Sequence, residues 1–277
     1  MGKGIGLIGN FKGKVGNTVG YKLSASNTGN TQGIRVYQPI VRNPKTSAQA
    51  EQRAKLAPIN ATYRALKMVI DRGNEGLPYG NKSRLAWLKQ ALKAESMPWI
   101  NKGGVITHPV LCQLTKGSLA GVTTNFRNSG MQITASSIEA GASLATIGAV
   151  STALLDSYPS LKAGDQITIV DINIEADAMI PNVFSFVIDT NSKVATDLFT
   201  AVEGAIIVAF ESQINIGTVI VSREGDNGQH LRSTSYLNAG SDLKTAAPYD
   251  ETSKAAAVES YMSAASANSD WAEESIQ

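Results

Sequence analysis

Between Met131 and Leu237 the chain alternates six times between runs of β-branched or aromatic residues and short clusters of turn formers. The runs are residues 131–135, 166–175, 182–188, 204–211, 216–222 and 229–237. Strands this short and this closely spaced pair most readily with their sequence neighbours, so an antiparallel sandwich or barrel-like domain is expected. Glu224-Gly225-Asp226-Asn227-Gly228 contains Asn-Gly, whose backbone tolerates the positive φ of a tight hairpin turn, and it should join the last two runs. In the second run Ile167 and Ile169 share one parity, and Ile172 and Ile174 share the other. Side chains alternate faces with period two along a strand, so that switch predicts a bulge near Val170. Residues 142–157 read as a helix covering one end of the domain.

Ahead of residue 120 the texture is helical. Pro44 is followed by Thr46 and, three residues on, Gln49, the T-x-x-Q pattern of a capped helix start. The helix should run over 47–70, with Ile59, Tyr63, Leu66 and Ile70 as its apolar stripe and Arg72-Gly73-Asn74 as its stop. Pro58 has no N–H for the ladder, so a kink or two abutting helices is expected there. A second helix after Asn81 should bury Leu85, Leu88, Ala91 and Leu92 and turn Lys82, Lys89 and Lys93 to another face. Residues 19–24 and 33–40, in a Gly/Asn-rich basic segment, read as a long-looped hairpin or an arm. Residues 252–265 read as a helix within an acidic tail. The expected chain is therefore α+β: a basic N-terminal hairpin over 1–44, a helical hairpin and connector over 45–120, an antiparallel β domain over 121–245 and an acidic tail over 246–277.

Charge is divided unevenly along this plan. Residues 1–118 carry 18 Lys and Arg against four acids, a balance of +14, and residues 119–277 carry 7 against 19, a balance of −12. The formal total of +2 conceals the division. Net charge governs association rather than fold, so the first half suits a polyanion or an acidic protein surface. The candidate contacts are Lys3, Lys12, Lys14, Lys22, Arg35, Arg42, Lys45, Arg53, Lys82, Lys89 and Lys93. No run of 18 or more apolar residues occurs, so no membrane contact is expected. A single cysteine, Cys112, excludes an internal disulfide. The short glycine-broken start does not read as a secretion signal, and synthesis and assembly in the cytoplasm follow.

Motifs that carry chemistry are weak. Gly4-Ile5-Gly6-Leu7-Ile8-Gly9 spells G-x-G-x-x-G, but only three residues precede it where a dinucleotide fingerprint needs a strand. His108 and Cys112 are four apart with Pro109 between them, and zinc needs at least three protein ligands. Asp165, Asp171, Glu175 and Asp177 lie along a strand rather than in a calcium loop. Two histidines leave little room for acid–base or nucleophilic machinery. No enzyme, cofactor or metal is expected. Phe11, Tyr21 and Tyr37 among the N-terminal cations supply the ingredients of a single-strand nucleic-acid surface within residues 1–60.

The stretch Asn43-Pro44-Lys45-Thr46-Ser47-Ala48-Gln49-Ala50-Glu51-Gln52-Arg53, followed by Arg84 and Trp87, resembles a helix start found in virion structural proteins of tailed phages. Phe11-Lys12-Gly13-Lys14-Val15-Gly16-Asn17-Thr18-Val19-Gly20, with that helix, resembles a family from Bacteroidota and their phages and prophages. Thr115-Lys116-Gly117-Ser118-Leu119, Ser222-Arg223 and Arg232-Ser233-Thr234 extend the likeness. It covers the first 120 residues well and the β domain loosely, and it brings no settled activity. The helix of that family is uninterrupted, whereas this one carries Pro58. The resemblance implies a structural component of a phage virion: a connector ring, a tail part or a capsid-associated protein. Its partners would be further copies of itself and other virion proteins, and its place the particle. Nucleic-acid binding by the basic half and surface adhesion through the β domain are the alternatives.

Overall fold

The computed structural model describes residues 13–15, 17–22, 32–36, 46–127, 130–208, 216–225, 228–240 and 248–266. The chain is α+β, and its contacts divide it into two units, Met1–Pro44 and Lys45–Gln277. In the first unit β1 (Gly13–Val15), β2 (Thr18–Lys22) and β3 (Gln32–Val36) form an antiparallel sheet in that order. Lys14 lies opposite Val19, and Val19 opposite Arg35.

The second unit opens with α1 (Ser47–Ala65), and the Thr46 side chain accepts the Gln49 N–H at 3.3 Å as the sequence pattern requires. The helix passes through Pro58 without a break, and the interruption falls instead at Leu66, after which α2 (Lys67–Ile70) adds one turn. Buried Thr62 ties the helix to its surroundings: its hydroxyl donates to the Pro58 carbonyl at 2.9 Å and accepts the Val110 N–H at 2.9 Å. The next helix, α3 (Asn81–Ala91), buries Ser83, Trp87 and Ala91. Leu85 is half exposed, contrary to the apolar stripe read from sequence. Tyr63 sets this rotation, since the Trp87 ring packs 6.1 Å from it and the Arg84 guanidinium lies 4.5 Å over its face.

After β4 (Gln113–Thr115) come β5 (Thr124–Arg127), β6 (Gly130–Thr134), α4 (Ile147–Ser157), β7 (Gln166–Ile174) and β8 (Met179–Val187). They are followed by β9 (Phe199–Val202), β10 (Ala205–Val208), β11 (Ile216–Glu224), β12 (His230–Arg232), β13 (Ser235–Tyr236), β14 (Asn238–Ala239) and α5 (Glu251–Ser266). The central sheet runs β12-β11-β7-β8 with β14 also on β11, and a second sheet runs β5-β6-β10-β9. Glu224 stands opposite His230 where β11 and β12 pair. The expected helix over 142–157 starts only at Ile147, with Thr146 as its cap.

The expected bulge in β7 is absent. Its register is continuous against β8 from Gln166↔Val187 to Ile174↔Met179, and against β11 from Ser222 to Gly217. The parity switch arises because both faces of the strand are covered. Ile167 and Ile169 enter a core shared with Met131, Ile133, Ile206, Val219 and Val221, whereas Val170 and Ile172 enter one shared with Ile59, Ile70, Trp87, Ile216 and Ile220. The central sheet therefore lies between a β layer with α4 on one side and the helices on the other. The C-terminal α5 packs along α1, so residues 45–118 and 119–277, which differ in charge balance, interleave in space. Trp99 marks that contact, with Lys55 of α1 and Lys254 of α5 at 5.8 and 5.5 Å from its ring.

Candidate functional site

Segments far apart in sequence converge at the free side of β12. Leu119 donates its N–H to the Arg232 carbonyl at 2.9 Å, and the Thr115 hydroxyl bonds to the Ser233 carbonyl and the Ser235 hydroxyl, each at 2.7 Å. Gly117 and Thr234 exchange two hydrogen bonds, backbone N–H to hydroxyl and hydroxyl to carbonyl. Glu75 is the hub. Its carboxylate accepts the Ser118 N–H (2.9 Å), the Ser118 hydroxyl (2.8 Å) and the Arg232 N–H (3.1 Å). Burial acts to raise the Glu75 carboxyl pKa, but these donors outweigh it and hold the group below its ordinary value. Gly117 is obligatory, because a Cβ there would fall 2.0 Å from the Arg232 carbonyl oxygen and 2.7 Å from the Glu75 carboxylate. Thr115–Leu119 and Arg232-Ser233-Thr234 are thus one structural junction. Ser222 of β11 stands opposite Arg232, while Arg223 turns to Asp165 in a two-pronged pair.

Beside this junction lies a cleft of about 430 Å³ between residues 74–79 and the Gln229, His230 and Arg232 side of β12. Gly76 and Gly80, at φ +74° and +85°, let the 74–79 loop turn out and back into α3. Tyr79 and His230 meet across the cleft with ring centres 5.8 Å apart and planes 32° from parallel. The Arg72 guanidinium lies 5.6 Å from the Tyr79 ring, so the ring sits under a cation. The Arg232 backbone is consumed by Glu75 and Leu119, but its guanidinium has no ion-pair partner among the described residues. The arrangement offers an aromatic platform, a carboxylate fixed by three donors, and a planar cation without an ion-pair partner among the described residues. Nothing in the sequence reading marked Tyr79, His230 or Arg232 as a group. The visible signal was Pro78-Tyr79-Gly80 before a helix, which reads as a turn.

Of the cations expected to make contacts, Lys3, Lys12, Arg42 and Lys45 lie outside the described residues. Lys14 is exposed on β1, and Lys22 and Arg35 stand on β2 and β3. Arg53 is exposed on α1. Lys82 and Lys89 are exposed on α3 and Lys93 in the turn that closes it, and at 100° per residue the three fall in one stripe. His108 and Cys112 part company: the His108 ring stands edge-on to Tyr249 at 5.9 Å, and the Cys112 thiol is buried and pushed up to about 12 by burial. Among the described residues no group of three His, Cys, Asp or Glu is placed to hold a metal, and no helix is long and apolar enough to cross a membrane. No family model, curated protein or solved structure matches this chain.

Proposed function

We propose that this protein is a structural component of a bacteriophage virion, an assembly subunit held in place by contacts with its own copies and with other virion proteins. The observation that carries the reading is the exposed Lys82-Lys89-Lys93 stripe, which has no ion-pair partner among the described residues, in a chain whose residues 119–277 hold a surplus of acids. A cationic face on one copy and an acidic surface on the next make a heterologous contact, which closes into rings or extends into filaments. In this reading the face of α3 that carries the stripe is the docking surface. The protein is made in the host cytoplasm and resides in the particle. The likeness to virion proteins over residues 43–53 and to the phage and prophage family over the first 120 residues supports the same reading.

Light scattering on the purified full-length chain tests it. Defined oligomers at low salt that dissociate as salt shortens the Debye length, and a K82E/K89E/K93E variant that stays monomeric, are the expected results. A monomer at every ionic strength, or oligomers indifferent both to salt and to the charge reversal, would overturn it.

A further inference from the structure

The Tyr79–His230 cleft has a composition the assembly reading does not use. Its walls combine two rings, one of them half exposed, with a guanidinium that has no ion-pair partner among the described residues. The one carboxylate in the lining, Glu75, is engaged by three donors and forms no ion pair with the Arg232 side chain. Further cations stand at the rim. Arg72 covers Tyr79, and Lys116 is exposed where its segment bridges to Asn74 and its carbonyl accepts the Glu75 N–H. The nearby acids are Asp71, which accepts the Tyr63 hydroxyl, and exposed Glu224, opposite His230 in the strand register. Three cations and three carboxylates stand around the platform, but Arg232, which lines the cleft, has no ion-pair partner among the described residues.

We propose that this cleft binds a single-stranded nucleic acid, taking one unstacked base against Tyr79 and His230 and the adjoining phosphates on Arg232, Arg72 and Lys116. A base has a flat π-face that a tilted ring pair can accept whatever its sequence, and a phosphate matches the planar fork of a guanidinium. The volume suits one nucleotide rather than a duplex. A double helix keeps its bases stacked and offers no ring to the platform. Saccharides with carboxylates share the anionic half of this chemistry but lack the flat unsaturated face, and they serve as the discriminating competitor.

The test is fluorescence anisotropy of the full-length chain with labelled oligothymidylate, a duplex of equal length and a sulfated polysaccharide, starting at about 50 mM salt. Single strands should bind most tightly. Tyr79→Ala should weaken them roughly 5- to 100-fold, and Tyr79→Trp should retain binding. Arg232→Ala should lower affinity and reduce the log–log salt slope by about 0.7. Photocrosslinking of a halogenated oligonucleotide to the unaltered protein should label peptides spanning residues 72–82 or 229–232, which keeps the test sound should a variant misfold. The proposal fails if the wild-type chain does not bind, if duplex or polysaccharide binds more tightly, or if crosslinks fall only elsewhere. It fails equally if folded Tyr79→Ala and Arg232→Ala variants bind as well as the parent, since cations elsewhere, such as those in residues 1–60, then carry the contact. The readout is oligonucleotide affinity rather than particle mass, so it stands or falls apart from the assembly reading.

Discussion

Polar ties occur on both sides of the central sheet, with Tyr158 donating to the Thr134 carbonyl at 2.7 Å on the β side, but the two cores differ in make-up. On the β side Phe184, Phe186 and Phe199 form a cluster with ring centres 5.9 to 6.0 Å apart, and Ile133, Ile206 and Val208 complete a close-packed apolar layer. On the helical side the core is threaded by directional polar contacts. Buried Ser83 donates to the Ile70 carbonyl at 2.7 Å, Thr62 ties α1 to Val110, and Tyr249 donates to the Pro109 carbonyl at 2.7 Å. The apolar layer fixes where the sheet is, and the polar one fixes where particular surface groups are. Both the Lys stripe and the cleft belong to the second side. A surface that must present specific side chains is better referenced to hydrogen bonds, which tolerate little rotation, than to aliphatic packing alone.

The sharpest way to break this contrast uses one strand. Ile169→Ala and Ile172→Ala remove fully buried side chains from opposite faces of β7, and each should cost about 2–5 kcal/mol in denaturant unfolding. Trp87 and Trp99 sit only in the helical-side core, so native tryptophan emission should move in the Ile172 variant and hold in the Ile169 variant. Equal shifts in both would dissolve the distinction. A smaller effect is expected at Arg223, which pairs with an Asp165 that is 1 % exposed. Arg223→Ala leaves that carboxylate without its partner. The loss should be about 2 kcal/mol, below the roughly 3–5 of a fully buried pair because the guanidinium side reaches water. A melting temperature unchanged from the parent would contradict it. The smallest effect concerns the junction. Glu75→Gln should cost about 1 kcal/mol at neutral pH. The folded-state pKa of Glu75 is depressed, so its contribution is present above the unfolded value near 4.5 and disappears as pH falls through the lower folded value. Parent and variant should therefore converge in stability in acid, and a gap that persists at low pH would count against the carboxylate's role.

Local signals in the sequence were readable where a few neighbouring residues decide the outcome. The Thr46 cap is one, and the pairing of β11 with β12 across Glu224–Gly228 is another. The reading failed where the deciding residue is distant. Pro58 carries a real local penalty, yet the helix runs through it, and buried Thr62 on the following turn is anchored to Val110, 48 residues further on. Leu85 fits an apolar stripe, but Tyr63 and Trp87 set the helix rotation. The parity switch in β7 was correctly seen and wrongly explained, because a strand covered on both faces has no solvent side to define its register. The β9–β10 pair was half legible. Residues 204–211 were marked, whereas Phe199–Val202 before the Glu203-Gly204 turn were not, being short and interrupted by small residues. The cleft was illegible for the same reason as Pro58's tolerance: Tyr79 and His230 are neighbours only through the fold.

The seating of Gly117 against the Arg232 carbonyl reaches beyond the cleft. A strand at the margin of a sheet ordinarily exposes a row of backbone donors and acceptors that an unfolded or foreign chain can zip onto. Here that margin is closed at Arg232, whose carbonyl accepts the Leu119 N–H and whose own N–H donates to the Glu75 carboxylate. Lateral accretion of β structure is therefore blocked at that end of β12, and a side chain at position 117 would displace the segment that covers it.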